Sequence, residues 1–173
     1  MELFAEHGYG AVTITAITQR VGLTRRTFFR YFADKREVVF PRVDGLCLAL
    51  ERELDALPQG TDLARLSAAV FGVLAQVGEL LMSDREGQRR RQALIAQSVE
   101  LQERERTKLA ASAAAIERSF AAREISSGAL FGAVAMEVFR AAYQTALWNE
   151  VGGSFREHMD TVRSSTGAFL TQV

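Results

Sequence analysis

The sequence predicts an all-α protein, and three features of its 173 residues support that prediction. Apolar residues recur at spacings of three and four along nearly the whole chain, which is the period of an amphipathic helix. Only two prolines are present, Pro41 and Pro58, and runs of alternating β-branched residues are scarce. The hydrophobic share of 48% is sufficient for a packed core, so a folded helical protein is expected rather than a disordered chain.

The N-terminal residues predict three short helical segments. Residues 1 to 8 look like the end of a helix that stops at Gly8 and Gly10, since glycine suits the left-handed C-terminal position. Thr13 can cap a helix over about 14 to 21, and Gly22 ends it. Thr24 can cap a second short helix that runs to about Phe32.

A longer helix is predicted to follow. Asp34 and Glu37 have the spacing of a capping box, so the helix would begin at Asp34 and run to about Leu57. Pro41 would lie inside it and kink or fray its first turn. We therefore expect Pro41 to be a pivot within this helix.

The remainder of the chain predicts four or five longer helices. Pro58 and Gly60 separate them from the preceding helix, and Asp84 can start one of them. A single continuous helix over 84 to 122 is an alternative to two shorter ones. The basic run at 89 to 91 is interpreted as a solvated helix face. The predicted helices cover about 62–82, 84–98, 100–122, 127–150 and 154–170.

Positive charge is concentrated in one short stretch, although the chain as a whole has no net charge. Residues 20 to 36 hold six basic groups and one acidic group, Asp34. Two short helices joined at Gly22 form a helix-turn-helix pattern, whose second helix enters the DNA major groove. Arg25 and Arg26 occupy the first turn of that helix, and arginine can make paired hydrogen bonds to guanine. A membrane-surface helix is disfavoured, because the apolar face is short and would leave the glycine turn unexplained.

Residues 3 to 40, LFAEHGYGAVTITAITQRVGLTRRTFFRYFADKREVVF, resemble the DNA-binding region of the TetR family of transcriptional regulators. Four features fall at the family spacing: the Gly-Tyr pair at 8 to 9, the turn at Gly22, the Arg-Tyr-Phe sequence at 30 to 32 that ends the second short helix, and Lys35. The other three quarters of the chain resemble the family only in helical character and length. The family's first helix normally extends further upstream, so the first helix here is short by comparison.

The resemblance implies a set of DNA contacts. Phe29 stands where the family has a phosphate-binding tyrosine, so that hydroxyl contact would be missing, and Thr18 stands where a small alanine is usual. Tyr31 and Lys35 would hold the DNA backbone. The full set implied at the DNA interface is Thr13, Thr15, Thr24, Arg25, Arg26, Thr27, Phe29, Tyr31 and Lys35.

The resemblance also implies two domains: a helix-turn-helix domain over 1–45 and a helical ligand-binding and dimerisation domain over 46–173. The last two helices would pair with those of a second subunit, because their apolar residues, including Phe155, Met159, Val162 and Phe169, exceed what one helix pair needs. Two subunits would read a palindromic operator. Apolar and aromatic residues suggest a pocket for a small, apolar effector. The candidate wall residues are Phe71, Leu74, Met82, Leu94, Phe120, Phe131, Met136, Arg140 and Tyr143.

Catalysis is not expected. The chain has one cysteine and two histidines, too few for a Cys/His metal cluster, and it has no Gly-rich phosphate loop. We expect no metal and no cofactor. One cysteine permits no intrachain disulfide, and neither a membrane-spanning run of about 20 residues nor a signal peptide is evident. A cytoplasmic regulator, most simply a repressor, is therefore predicted. The alternative is a helical small-molecule-binding or enzymatic dimer that no longer binds DNA.

Overall fold

The protein is all-helical over the part of the chain that its computed structural model describes, residues 1–40, 43–149 and 152–170. Pro41 lies outside those residues, so its role as a pivot stays a prediction. The helices in chain order are α1 (Glu2–Ala11), α2 (Ile14–Arg20), α3 (Arg25–Tyr31), a 3₁₀ turn (Arg36–Val38), α4 (Val43–Asp55), α5 (Leu63–Met82), α6 (Arg85–Ala96), α7 (Val99–Ala121), α8 (Gly128–Trp148) and α9 (Phe155–Leu170).

Helices α2 and α3 form the expected helix-turn-helix. The hydroxyl oxygen of Thr13 accepts from the backbone N–H of Ala16, and that of Thr24 accepts from the N–H of Thr27, so both helices begin at a threonine cap. Gly22 has a φ of 66°, in the left-handed region where a side chain would be strained. Phe28 is buried at the back of α3.

Helix α1 bends at Gly8, whose φ of 75° interrupts the helical geometry and divides the segment into two parts. The bend turns Tyr9 inward, where its ring packs 5.7 Å from that of Phe4. Burial, together with the nearby Glu100 carboxylate, raises the pKa of Tyr9 to about 12. The predicted end of the first helix at Gly8 is therefore close to a real change in direction, although helical residues continue to Ala11.

The predicted helix over 34 to 57 is wrong. Asp34 does cap the following turn, accepting from the backbone N–H groups of Arg36 and Glu37, but only a 3₁₀ turn forms there and α4 begins at Val43. The capping box is incomplete because the Glu37 carboxylate turns away from the Asp34 backbone. It accepts instead from Arg104 Nε at 2.8 Å and Lys108 Nζ at 2.9 Å, both on α7.

Helices α4 to α9 pack around a large apolar core. Gly132 of α8 lies so close to α7 that a Cβ at that position would be 2.7 Å from the carbonyl oxygen of Ala113. Gly78 of α5 accommodates the ring of Phe155 in the same way, which fixes α9 against α5. Small residues therefore set the close approaches between long helices.

A second core joins the N-terminal helices to the rest of the protein. It contains apolar side chains from the first 40 residues and from α6 and the start of α7. Its buried members are Phe4, Tyr9, Val12, Val39, Phe40, Leu94, Ile95 and Leu101. The two expected domains, 1–45 and 46–173, therefore share this second core.

The later helix boundaries agree with the sequence prediction to within about two residues. The alternative of one continuous helix over 84 to 122 is wrong, because α6 ends at Ala96 and Ser98 caps α7 by accepting from the N–H of Leu101. Helix α5 is, by length and composition, apolar enough to cross a membrane, which the sequence analysis did not anticipate. Leu66, Val70 and Leu74 of α5 are fully buried in the helical core, and a core helix of a globular protein passes the same test.

Candidate nucleic-acid interface and internal cavity

The outer face of α3 presents arginine side chains to solvent. Arg25 and Arg26 are both exposed, and within the described ranges neither forms a hydrogen bond or an ion pair with another residue. Phe28 holds the helix from behind, with its ring 5.2 Å from that of Phe32. This arrangement leaves two guanidinium groups available for an anionic partner at the start of a rigidly held helix.

The predicted threonine contacts surround that face. Thr13 and Thr24 are exposed at their helix starts, and Thr15 is exposed on the first turn of α2. The Thr24 and Thr27 hydroxyl oxygens lie 3.0 Å apart and form a hydrogen bond with each other. These hydroxyls therefore have structural bonds, and each keeps at least one lone pair or proton for a phosphate oxygen or a water.

Two aromatic rings of α3 are exposed to solvent. Phe29 is 48% exposed and Tyr31 is 67% exposed. Arg30 donates from Nη2 to the Tyr31 hydroxyl at 2.9 Å, and its guanidinium carbon lies 4.7 Å from the ring centroid. The resemblance placed both rings at the DNA interface, and their exposure is compatible with that position.

The ammonium group of Lys35 contacts the end of α1, and the DNA contact implied by the resemblance stays a prediction. Its ammonium group donates to the carbonyl oxygens of Tyr9 at 2.7 Å and Val12 at 2.9 Å, and it lies 4.1 Å from the centroid of the Tyr9 ring. These contacts satisfy carbonyl groups at the end of α1 that have no partner within the helix. We therefore assign Lys35 to holding α1 against the turn that follows α3.

Asp34 and Arg36 form a local ion pair beside Lys35. The Arg36 side chain donates to the Asp34 carboxylate, and this hydrogen bond, helped by the backbone N–H groups, holds the pKa of Asp34 below its ordinary value. The same contact raises the pKa of Arg36. Arg36 is thus directed toward its own chain rather than toward the α3 surface.

An internal cavity of about 160 Å³ lies among five helices of the C-terminal region. Of the nine predicted wall residues, only Arg140 and Tyr143 line it. The remaining lining residues were not predicted as ligand contacts: Leu46, Val77, Leu81, Arg91, Gln92, Glu105, Leu109, Phe139 and Gln144.

The predicted aromatic wall is instead a packed cluster elsewhere in the core. Phe131 stacks on Phe120 with ring centroids 4.9 Å apart and meets Phe71 edge-on at 6.0 Å. Leu94 belongs to the second core beneath the N-terminal helices. Leu74 and Met136 are buried in the main core and Met82 packs against it. Helical periodicity identified these residues as inward-facing but could not say which of them meet at a gap.

Arg91 corrects the interpretation of the basic run at 89 to 91 as a solvated face. Its side chain is buried, its Nε donates to the carbonyl oxygen of Val39 at 2.9 Å, and its Nη2 donates to Glu105 at 3.2 Å. Arg89 also turns inward and donates to the carbonyl oxygen of Leu147. The available signal was spacing, since Arg91 precedes Leu94 by three residues and therefore shares its helix face.

The charges around the cavity are balanced in pairs. Arg91 faces Glu105, and Arg140 donates to Glu137 at the solvent side, a contact that raises the pKa of Arg140. Burial raises the pKa of Tyr143, whose hydroxyl donates to the side-chain oxygen of Gln88 at 2.9 Å. Among the residues that the structure describes, no group of three or more His, Cys, Asp or Glu side chains is placed to hold a metal ion.

The predicted apolar surplus on α9 is largely used within the subunit. Phe155 and Met159 are buried and Val162 packs against the same core, while the Phe169 side chain lies outside the described part of the chain. On α8, two large apolar side chains remain exposed, Leu130 at 69% and Trp148 at 55%.

A helix-turn-helix with exposed arginines on the outer face of its second helix is the arrangement found in DNA-binding regulatory proteins. The family model for bacterial regulatory proteins of the tetR family matches residues 1–40, so these N-terminal helices match the DNA-binding domain of that family.

Two curated transcriptional regulators are also similar to part of the chain. The HTH-type transcriptional regulator TcmR of Streptomyces glaucescens is 37% identical over 83 residues, which cover 46% of this chain and 37% of that protein. A Mycobacterium tuberculosis protein named as a mycofactocin biosynthesis transcriptional regulator, MftR, is 45% identical over 38 residues, 22% of this chain and 19% of that protein. The aligned part of the chain thus spans well under half the length of either relative.

Proposed function

We propose that the protein is a transcriptional repressor that binds a palindromic operator as a homodimer in the cytoplasm and leaves the DNA when a small molecule fills the internal cavity. The observation that carries this proposal is the exposed Arg25–Arg26 pair on a capped helix, within a region that matches the tetR family. One short recognition helix contacts few base pairs, so two copies are needed for a specific site.

The test of DNA recognition is a selection from random duplexes followed by a gel shift on the selected sequence. Replacing both Arg25 and Arg26 with alanine should abolish specific binding, because each lost bidentate contact costs about 1–3 kcal/mol. The matched control replaces Arg52 and Arg65, two arginines exposed on α4 and α5, and removes the same charge. Binding that is weak and indifferent to sequence in the unmodified protein would support a helical small-molecule-binding or enzymatic dimer instead.

Exposed apolar side chains on α8 support dimerisation. Leu130 is the more exposed of the two, and a second subunit packed on α8 and α9 would cover it. A Leu130→Glu change should convert a dimer to a monomer in sedimentation analysis. Leu63→Glu is the control, since Leu63 is 47% exposed at the start of α5 and outside the proposed interface. A Leu130→Glu protein that remains dimeric would rule out this face.

Arg91 offers a route from the cavity to the DNA-binding helices. It lines the cavity, and it also bonds the backbone of Val39, next to the core that holds α1. A molecule that changes the Arg91–Glu105 contact would therefore also change the support of residues 36 to 40. A ligand shifts the equilibrium only by its difference in affinity for the two arrangements.

Amide hydrogen exchange tests this route. Arg91→Lys keeps the positive charge but cannot hold Val39 and Glu105 with one planar group, so exchange at Val39 and Phe40 should accelerate. Arg90→Lys is the control, because Arg90 is exposed on the same helix. Unchanged exchange in the Arg91→Lys protein would exclude Arg91 as the connection.

A further inference from the structure

The cavity has the size of a single ring. An engineered cavity of about 150 Å³ lined by leucine, isoleucine and phenylalanine is known to accept benzene, and the volume here is about 160 Å³. The space among the helices is thus sufficient for one ring.

Most of the cavity wall is apolar. Leu46, Val77, Leu81, Leu109 and Phe139 surround the space from four helices. Such a wall favours an apolar ring, because burial of the ring removes hydrocarbon surface from water and the ring needs no hydrogen-bond partner.

One side of the cavity carries a defined polar group. Arg91 Nη2 and Gln92 Nε2 both donate to the same oxygen of Glu105, Oε1, each at 3.2 Å. The other oxygen, Oε2, accepts no hydrogen bond from the described residues, and the Glu105 side chain is 24% exposed. A ligand hydroxyl could donate to that oxygen, whereas the Arg91 guanidinium is already shared among Val39, Glu105 and the Tyr143 hydroxyl.

Charge selects against an anion. Glu105 balances Arg91, and Glu137 balances Arg140 at the solvent side, so no positive charge in the cavity is left for a carboxylate. A carboxylate beside Glu105 would place two like charges in a poorly solvated space.

We propose that the cavity binds an uncharged, one-ring hydroxyl compound of the phenol or cyclic alcohol class, with its ring among the leucines and its hydroxyl at Glu105. This inference rests on the proposed function in treating the cavity as the effector site, but binding itself requires no DNA.

Calorimetric titration with three compounds of matched size tests the proposal: 4-methylphenol, toluene and benzoate. The phenol should bind about tenfold more tightly than toluene, through its hydrogen bond to a charged acceptor, and benzoate should bind more weakly than either. Equal binding of phenol and toluene, or preferential binding of benzoate, would overturn the assignment.

Two variants locate the site. Glu105→Gln removes the negative charge and leaves Arg91, so the preference should reverse in favour of benzoate. Glu103→Gln is the control, because Glu103 is exposed on the same helix and paired with Arg106. Val77→Phe should fill the space and abolish binding of all three compounds while circular dichroism shows a cooperative melt. Binding that survives Val77→Phe, or a preference unchanged in Glu105→Gln, would place the compounds elsewhere.

The two proposals fail separately. Specific DNA binding with no response to the phenol would overturn the ligand class alone. Phenol binding by a protein that recognises no DNA sequence would overturn the regulator proposal alone.

Discussion

The ammonium group of Lys35 provides a quantitative test of whether this residue stabilises the fold or contacts DNA. Lys35→Met keeps the aliphatic stem but removes two charged hydrogen bonds, of 2.7 and 2.9 Å, and one cation–ring contact. Lys35 is only half-buried, so each interaction should contribute less than it would in a buried site. We assign about 1 kcal/mol to each hydrogen bond and about 0.5 kcal/mol to the contact with the ring. The free energy of unfolding should fall by about 2.5 kcal/mol. For a chain of this length the melting temperature should fall by about 5–10 °C.

The same variant should leave the electrostatics of DNA binding unchanged. The logarithm of the binding constant falls with the logarithm of salt concentration, with a slope of about 0.9 for each phosphate contact. Fluorescence anisotropy with a random-sequence duplex, measured well below the melting temperature, should give the same slope for Lys35→Met as for the unmodified protein. The paired variant is Arg25→Met, whose side chain is exposed and forms no hydrogen bond or ion pair within the described residues, so its melting temperature should not change.

Arg25→Met should lower the salt slope by about 0.9 per subunit if the side chain meets a phosphate. The reasoning about Lys35 is refuted if Lys35→Met melts like the unmodified protein and its salt slope falls by that amount. Lys35 would then be a phosphate ligand, as the family resemblance implied.

Three further predictions concern stability. Gly78→Ala should lower the free energy of unfolding by about 1–2 kcal/mol, because its Cβ would lie 2.0 Å from a buried ring. Gly72→Ala on the same helix meets open space and should raise the free energy of unfolding by up to about 1 kcal/mol. Urea melts that show the same change in stability for both variants would contradict this prediction. Glu37→Gln should cost about 2–3 kcal/mol, since it removes the carboxylate that faces the buried Lys108, and thermal melts at low and high salt should both show the loss. Asp34 has a lowered pKa in the folded protein, so its contribution is present above about pH 4 and is lost as the pH falls toward the folded pKa. Asp34→Asn should therefore flatten the acid limb of a stability–pH curve, and an unchanged limb would show that the Asp34–Arg36 pair contributes nothing.

The sequence predicted those parts of the fold that depend on local signals. Thr13, Gly22 and Thr24 carry caps and a turn that act within a few residues, and the structure has helices that begin and end beside them. The long helices α5 to α9 follow from apolar periodicity and are correct to within about two residues.

The errors arose where a distant partner decided the outcome. Glu37 has the spacing of a capping box, but two basic groups on α7 bind its carboxylate instead. Arg91 was interpreted as a solvated residue because its neighbours in sequence are charged, whereas its partners, Val39 and Glu105, lie 52 and 14 residues away. The cavity could not be located from the sequence for the same reason. Periodicity shows which face of each helix is apolar, but the position of a cavity depends on how the five helices pack against one another.

The second core also limits how the N-terminal helices can be transferred to another protein. Grafting residues 1–45 onto a foreign receptor would separate Phe40 and Tyr9 from Leu94 and Leu101, the side chains that cover them here. The transplanted N-terminal helices would expose an apolar surface and tend to aggregate. A transferable unit should instead include residues 91–101, which cover that surface here, or the recipient protein should supply an equivalent apolar surface at the junction.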